Sequence, residues 1–208
     1  MQPAIDKKTL RQDIIQHRDA LSPYKREQLS LTVAKNVLDW PLYRQAKTVF
    51  LFAGVRSEID TKFLTEESLR LGKRGAMPRF IPEKREMLLL EIESWADLQP
   101  GYFGLLEPKP TARFISCAEV DLIVVPGVVF SPDGYRIGYG GGYYDRLLDK
   151  LTDPITVGIA FQLQVVSYLP QETHDKPVEF LITEKGLIDC RIVRAERIKK
   201  GDGNSNAK

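Results

Sequence analysis

The sequence predicts a single α/β domain: a mostly parallel, twisted, Rossmann-like sheet with helices on both faces and two helices ahead of the first strand. Three observations carry this. Apolar residues are 43% and charged residues 28% of the 208, the balance of an ordinary globular chain, and at roughly 150 residues per domain one compact unit accommodates the length. Short apolar runs such as Leu122–Val125 recur, which is how strands buried on both faces read. Stretches of helical period alternate with them, and that alternation favours a parallel sheet joined by crossovers.

In chain order, 6–20 reads as a helix with Leu10, Ile14 and Leu21 on one stripe, and Ser22-Pro23 gives an N-cap and a first-turn proline for a second helix through Leu38. Residues 48–53 read as a buried strand, 60–71 as a helix closed by Gly72, and 75–80 as a returning strand, together a βαβ unit. Residues 87–92 form a further strand. The stretch 95–110 is punctuated by proline and glycine, with little periodicity, and reads as a connection. Residues 120–125 are the strongest core strand. A turn at Ser131-Pro-Asp-Gly134 leads into clustered glycines, 143–151 resumes a helical pattern before Pro154, and 155–161 and 180–183 complete the strands. The domain is expected over 1–200, with the polar 201–208 a flexible tail.

Composition excludes several function classes. The two cysteines, Cys117 and Cys190, lack Cys-x-x-Cys spacing, so reduced thiols in a cytoplasmic protein are expected rather than a disulfide framework or a zinc site. No apolar run approaches the ~20 residues of a membrane span, and the first ten residues lack the hydrophobic region of a signal peptide. The net charge of +2 hides an asymmetry: 17 basic and 10 acidic residues over 1–85, 7 and 16 over 86–190, 6 and 2 from 191 onward. A basic first third in a near-neutral protein suits small anions, whereas nucleic-acid binding more often shows a high overall charge or a recognisable module.

The segment richest in chemistry is Arg136-Ile-Gly-Tyr-Gly-Gly-Gly-Tyr-Tyr-Asp145, with four glycines in five positions at a helix entrance. Glycine permits positive φ and close backbone approach, and a helix start adds partial positive charge, so the segment reads as a phosphate cradle or else as an ordinary glycine-rich turn. It follows the strongest strand, and in open α/β sheets ligands bind outside the carboxyl ends of strands. Two better-known phosphate motifs fail on spacing. Tyr143 stands where Gly-x-Gly-x-x-Gly needs its third glycine, and Gly72-Lys73 is followed by Arg74 rather than Ser or Thr. Lys7, Arg11 and Arg18 share one edge of the first helix, beside the apolar stripe, either to meet an anion or as a solvated face. Asp145 and Asp175 are candidate magnesium carboxylates for nucleotide chemistry, though Asp175 equally suits a turn. His17 and His174 carry no catalytic pattern, and no serine or cysteine sits in a nucleophile elbow.

Lys7-Lys-Thr-Leu-Arg11, Ser57-Glu58-Ile-Asp-Thr61, Gly104-Leu-Leu-Glu107-Pro108 and the glycine-rich segment occur in this order. As an ordered set over residues 7–185 they resemble the 5-formyltetrahydrofolate cyclo-ligase family, also called 5,10-methenyltetrahydrofolate synthetases. The resemblance implies ATP-dependent closure of 5-formyltetrahydrofolate to 5,10-methenyltetrahydrofolate with magnesium, releasing ADP and phosphate through a phosphorylated formyl intermediate. Position by position, it places ATP against Lys7, Lys8, Thr9, Leu10 and Arg11 and against Arg136, Ile137, Gly138, Tyr139, Gly140, Gly141, Gly142, Tyr143 and Tyr144. Lys7, Arg11 and Arg136 are the implied catalytic cations, Glu58 and the Tyr139–Tyr144 run face the folate, and Asp145 and Asp175 hold magnesium. Some relatives carry a basic residue at the position of Gly141, so here the backbone must serve.

The implied partners are ATP and 5-formyltetrahydrofolate, polyglutamylated forms included, bound by a monomer that meets neither nucleic acid nor membrane. Glu58 can accept two hydrogen bonds from a pterin edge, and Tyr144 or Phe80 can stack on its face. Arg56, Lys73, Arg74 and Arg79 suit either glutamyl carboxylates or plain solvent. Two alternatives remain at this level. One is a non-catalytic binding regulator, which should have lost a member of the set Lys7, Arg11, Glu58, Arg136 and Asp145. The other is an ATP-dependent ligase of another small anion.

Overall fold

The structure is a computed structural model that describes residues 6–151 and 154–203. The chain opens with helices α1 (Lys7–Asp19) and α2 (Pro23–Asp39), each begun by a side-chain cap, the one at Ser22 as the sequence predicts. The Asp6 side chain accepts from the amide of Lys8, and the Ser22 hydroxyl from that of Lys25. A short α3 (Pro41–Gln45) leads into β1 (Thr48–Phe50), then α4 (Lys62–Arg70), β2 (Arg74–Ile81) and β3 (Glu86–Ile92). Helix α4 starts later than the sequence predicts because the Asp60 carboxylate accepts from the amide of Lys62, 2.8 Å away, in the turn before it.

Strand β6 (Leu122–Val125) follows a small antiparallel ribbon, β4 (Leu98–Pro100) with β5 (Leu106–Pro108), inside the stretch read as a plain connection. A second ribbon, β7 (Val129–Phe130) with β8 (Arg136–Ile137), flanks the expected turn at Ser131–Gly134. Both are two or three residues long, too short to show a period in sequence. Then come α5 (Tyr143–Leu148), three residues shorter than expected, β9 (Ile155–Ile159), β10 (Phe180–Thr183), β11 (Gly186–Asp189) and α6 (Cys190–Gly203).

The main sheet runs β11-β10-β9-β6-β1-β2-β3. Its five inner strands are parallel, and only the edges β3 and β11 are antiparallel. The order reverses between β1 and β6: the chain builds outward through β2 and β3 on one side and through β9 to β11 on the other. That reversal is the topological switch point at which open α/β sheets bind ligands.

The apolar runs split cleanly by face. Val49, Leu122 and Val124 pack with Val33, Val37 and Leu64 under α2 and α4, while Phe50, Ile123 and Val125 pack with Phe130, Leu147 and Cys190 on the other side. A third cluster, Ile14 with Val128, Val129, Ile137 and Leu169, seats α1 across the carboxyl end of the sheet.

Helix α6, unexpected from sequence, is held by polar contacts rather than an apolar stripe. Arg194 donates to the carbonyls of Asp133 and Val178, Arg197 pairs with the buried Asp133 carboxylate, and Ile192 and Ile198 stay exposed. It extends to Gly203, three residues into the stretch expected to be tail; 204–208 lie outside the described residues. Among the described residues, no helix is long and apolar enough to cross a membrane. Both thiols are unpaired, and burial pushes them up, Cys190 to about 12.

Candidate functional site

Three segments far apart in sequence meet at the carboxyl ends of the inner strands: the exposed edge of α1, the loop after β1 and the glycine loop after β8. The physical junction is a 2.7 Å hydrogen bond from Nε of Arg11 to the carbonyl of Gly138. Lys7, one turn earlier, donates to Asp175 at 2.8 Å and lies 3.1 Å from Glu172. Burial lowers the Lys7 pKa, but its bonds to the two carboxylates outweigh this and the net shift is upward. Burial raises Asp175, and the bonds from Lys7 and the Glu172 amide bring it below the usual carboxylate range. Lys8 and Thr9 are exposed, and Leu10 packs against the third core cluster.

The glycine loop uses positive φ at Gly140 (+96°) and Gly142 (+64°), a region strained for residues with a Cβ. Gly141 faces the Tyr143 ring closely enough that a Cβ would sit 2.8 Å from it, and its carbonyl accepts from Arg146. Gly138 has neither constraint. Among the described residues, the amides of Gly140, Gly141 and Gly142 donate to no other group, which leaves three N–H donors on one turn. Ile137 is buried in the core, so only its backbone can reach a ligand.

Arg136 lies beneath this loop with its side chain 5% exposed, donating to Asp145 at 2.8 Å and to the carbonyl of Lys176 at 2.6 Å. Burial pulls the guanidinium pKa down, and Asp145 partly offsets it. Tyr144 packs its ring against Phe50, and its hydroxyl is buried without a partner; burial, then the nearby Glu58 charge, pushes its pKa up. Phe80 stands edge-on to Tyr143 at 5.0 Å.

Around Glu58 the structure assembles a network that sequence reading missed. Arg18, placed by the sequence on an edge beside the apolar stripe, either to meet an anion or as a solvated face, is 1% exposed. It continues the Ile14–Leu21 stripe at spacings of four and three, and that position is the signal that could have found it. Its Nε donates to Ser57 Oγ at 3.0 Å and Nη2 to the Tyr139 hydroxyl at 2.8 Å, while Nη1 is buried without a partner. Ser57 in turn bonds Asp19. Glu58 accepts from the Val55 amide at 3.0 Å. Burial raises its pKa, and Val55, Arg18 and Tyr139 only partly restore it. Gln164, also missed, is buried and donates to the carbonyls of Gly127 and Val128, fixing the chain as it leaves β6. Glu107 is buried as well; it accepts from the amides of Tyr102 and Phe80 and lies 3.4 Å from Arg79.

Two of the proposed carboxylate-reading cations belong elsewhere. Lys73 caps α3 by donating to the carbonyls of Tyr43, Arg44 and Ala46, and Arg74 pairs with Glu91 and Glu119. Arg74 opens β2, so both stand at the amino ends of the strands, opposite the site. Arg79 is held by Glu107 and by the carbonyl of Pro108. Arg56 is exposed beside Glu58.

Among the described residues, no three His, Cys, Asp or Glu side chains cluster as a self-sufficient metal cage. Asp145 and Asp175 each commit one oxygen to a cation and keep the other. That donor set fits a magnesium ion carried mainly by phosphate oxygens and water, the usual arrangement for this ion.

The family model for the 5-formyltetrahydrofolate cyclo-ligase family matches residues 4–184. The chain is 32% identical over 176 residues to the 5-formyltetrahydrofolate cyclo-ligase of Escherichia coli, covering 82% of this chain and 96% of that protein. It is 29% identical over 194 residues to that of Mus musculus, covering 86% and 93%. A solved 5,10-methenyltetrahydrofolate synthetase from Aquifex aeolicus superposes with a TM-score of 0.80 at 37% identity, over 89% of this chain and 93% of that one. Another from Mycoplasma pneumoniae gives 0.70 at 26% identity, over 86% and 99%.

Proposed function

The chain belongs to the 5-formyltetrahydrofolate cyclo-ligase family, and we propose that it closes 5-formyltetrahydrofolate to 5,10-methenyltetrahydrofolate with ATP and magnesium, releasing ADP and phosphate. The observation that carries this reading is the bond between Arg11 and Gly138. It joins the two phosphate-reading segments, 127 residues apart, next to the half-buried Glu58 carboxylate, which is suited to a pterin edge.

The chemistry asks for positioning and charge neutralisation more than for a protein nucleophile. A formyl amide oxygen is a weak nucleophile, so it must be held in line with the γ-phosphorus while negative charge builds on the transferring group. Attack forms the oxygen–phosphorus bond and breaks the bond to ADP. N10 then attacks the activated formyl carbon, phosphate leaves with the former formyl oxygen, and N10 loses its proton.

Lys7, Arg11 and the amides of Gly140 to Gly142 take the phosphates in this scheme. Arg136 holds Asp145 and lends its charge from below. Glu58 accepts the N–H groups of the pyrimidinone and so fixes the formyl group relative to ATP. Magnesium, held by Asp145 and Asp175, neutralises phosphate charge when bound. A phosphorylated substrate also accounts for the lack of a nucleophile elbow in the sequence. The regulator alternative expects a missing member of the set Lys7, Arg11, Glu58, Arg136 and Asp145, and all five are present.

Purified protein mixed with 5-formyltetrahydrofolate, ATP and magnesium should develop the absorbance of the methenyl product with ADP in equal amount. Excess chelator should abolish it. Absence of product with all three present would overturn the reading, and undiminished product under chelation would remove the metal role of Asp145 and Asp175.

A further inference from the structure

Arg18 is one of the largest fully buried side chains among the described residues, and its guanidinium is incompletely satisfied. Nε and Nη2 are committed to Ser57 and Tyr139, while Nη1 is buried and has no hydrogen-bond partner among the described residues. A buried donor left unpaired costs about 1–3 kcal/mol, more when charged, so a protein that keeps one has a use for it. Arg18 lines a narrow cavity together with Glu58, Phe52, Ile59, Gly127 and Gln164. Phe52, Glu58 and Ile59 follow β1 and Gly127 follows β6, the two strands that flank the switch point, while Arg18 reaches in from α1 and Gln164 from the turn after β9.

Glu58 and Arg18 thus share a cavity of about 10 Å³ with apolar walls, a carboxylate acceptor and an incompletely paired cation in a space the free protein keeps nearly closed. A 2-amino-4-oxo-pyrimidine edge carries the complementary set, two adjacent N–H donors at N3 and the 2-amino group followed by the acceptor O4. We propose that Arg18 is a specificity-determining residue that donates through Nη1 to the 4-oxo oxygen of the pterin while Glu58 accepts from N3–H and the 2-amino group. The proposal rests on the folate reading above and adds to it the group that distinguishes a 4-oxo from a 4-amino ring. Tyr139 closes the approach through its 2.8 Å bond to Arg18, is 48% exposed and adjoins Gly140 at positive φ. It is the side chain that gives way when the ring enters.

Calorimetry on the intact protein without ATP, using 5-formyltetrahydrofolate and its 4-amino counterpart, tests this. Wild type should prefer the 4-oxo ligand by about tenfold or more, the value of a hydrogen bond to a charged group. Arg18→Met should lose at least that factor on the 4-oxo ligand and narrow the preference by the same factor, leaving only the part that Glu58 supplies, with ATP affinity unchanged. Because Glu58 also disfavours a 4-amino ring, and because Arg18→Met risks misfolding, Glu58→Gln is the second variant. Its amide can pair with either ring, so a preference that survives in it reports Arg18 alone. Equal binding of the two ligands by wild type or by Glu58→Gln overturns the proposal, as does an intact preference in folded Arg18→Met. Failure of wild type to bind or convert 5-formyltetrahydrofolate overturns the folate reading itself, whereas normal turnover without ring preference overturns only the role of Arg18.

Discussion

At the amino ends of the parallel strands, Lys73 donates to three carbonyls, Arg74 pairs with two glutamates, and Asp121 accepts from the amides of Lys47 and Thr48 at 2.8 Å each. At the carboxyl ends, among the described residues, the buried Arg18 Nη1 and Tyr144 hydroxyl and three loop amides have no hydrogen-bond partner. The two ends use the same residue types. One end closes its hydrogen bonds internally, while the other leaves them open around two residues at positive φ. Unsatisfied groups cost stability in the free protein, so their concentration at a single end marks where a ligand completes the structure.

The largest expected effect breaks the open end outright. Gly140→Val places a β-branched residue at φ +96°, and ATP affinity should fall by more than about a hundredfold, given a backbone penalty and a displaced cradle. Gly138→Ala, at ordinary φ with open space around its Cβ, should stay near wild type in the same calorimetric titration. Circular dichroism must show both variants folded. Equal affinity in the two would place the phosphate cradle elsewhere.

Comparing arginines across the two ends sharpens the contrast. Arg136→Met leaves Asp145 without its buried partner and should cost about 3 kcal/mol of stability by denaturant titration, the low end for a broken buried pair because Asp145 is still 29% exposed. Arg74→Met breaks pairs that are partly solvated on both sides and should cost about 1 kcal/mol or less, with kcat/KM unchanged. The reverse ranking would contradict the division between the ends.

Arg11→Ala should lower kcat/KM for ATP by about ten- to a hundredfold, the worth of a charge-assisted hydrogen bond to phosphate. Its melting temperature should fall only slightly, because Arg11 lies at the margin of the apolar stripe and a single hydrogen bond, to Gly138, is lost. Unchanged kinetics would return it to a solvated helix face.

The smallest expected effect is a displaced pH limb. Glu58 must be ionised to accept from the pterin, and burial raises its pKa. Activity is therefore present above that raised pKa and lost as pH falls through it, so the acid limb of kcat/KM for the folate should lie above the ordinary carboxylate range. Glu58→Gln should remove that limb along with much of the folate affinity. An acid limb unmoved in Glu58→Gln would assign it to another carboxylate.

Much of the fold was legible locally. The cap at Ser22, the runs at 48–53 and 120–125 and the β1-α4-β2 unit follow from short-range propensity and period, and a buried parallel strand needs no alternation to be seen. The ribbons β4-β5 and β7-β8 were not legible, because two or three residues carry no period and pairing across a turn is what defines them. Helix α6 was missed because its anchors, Arg194 and Arg197, reach 61 and 64 residues back to Asp133.

The site divides along the same line. The sequence by itself determined the glycine loop, the cations Lys7 and Arg11 and the order of the motifs, since these are properties of residue type and spacing. Tertiary structure alone decided that Arg18 turns inward with an unpaired nitrogen, that Arg136 lies under the loop against Asp145, and that Lys73 and Arg74 stand at the wrong end for substrate. The physical reason is that a charge's role depends on its desolvation and its partner. Both are set by partners on other segments, 121 residues away for Arg18 and Tyr139, 40 for Arg136 and Lys176 and 45 for Arg74 and Glu119, which meet only when the sheet is assembled.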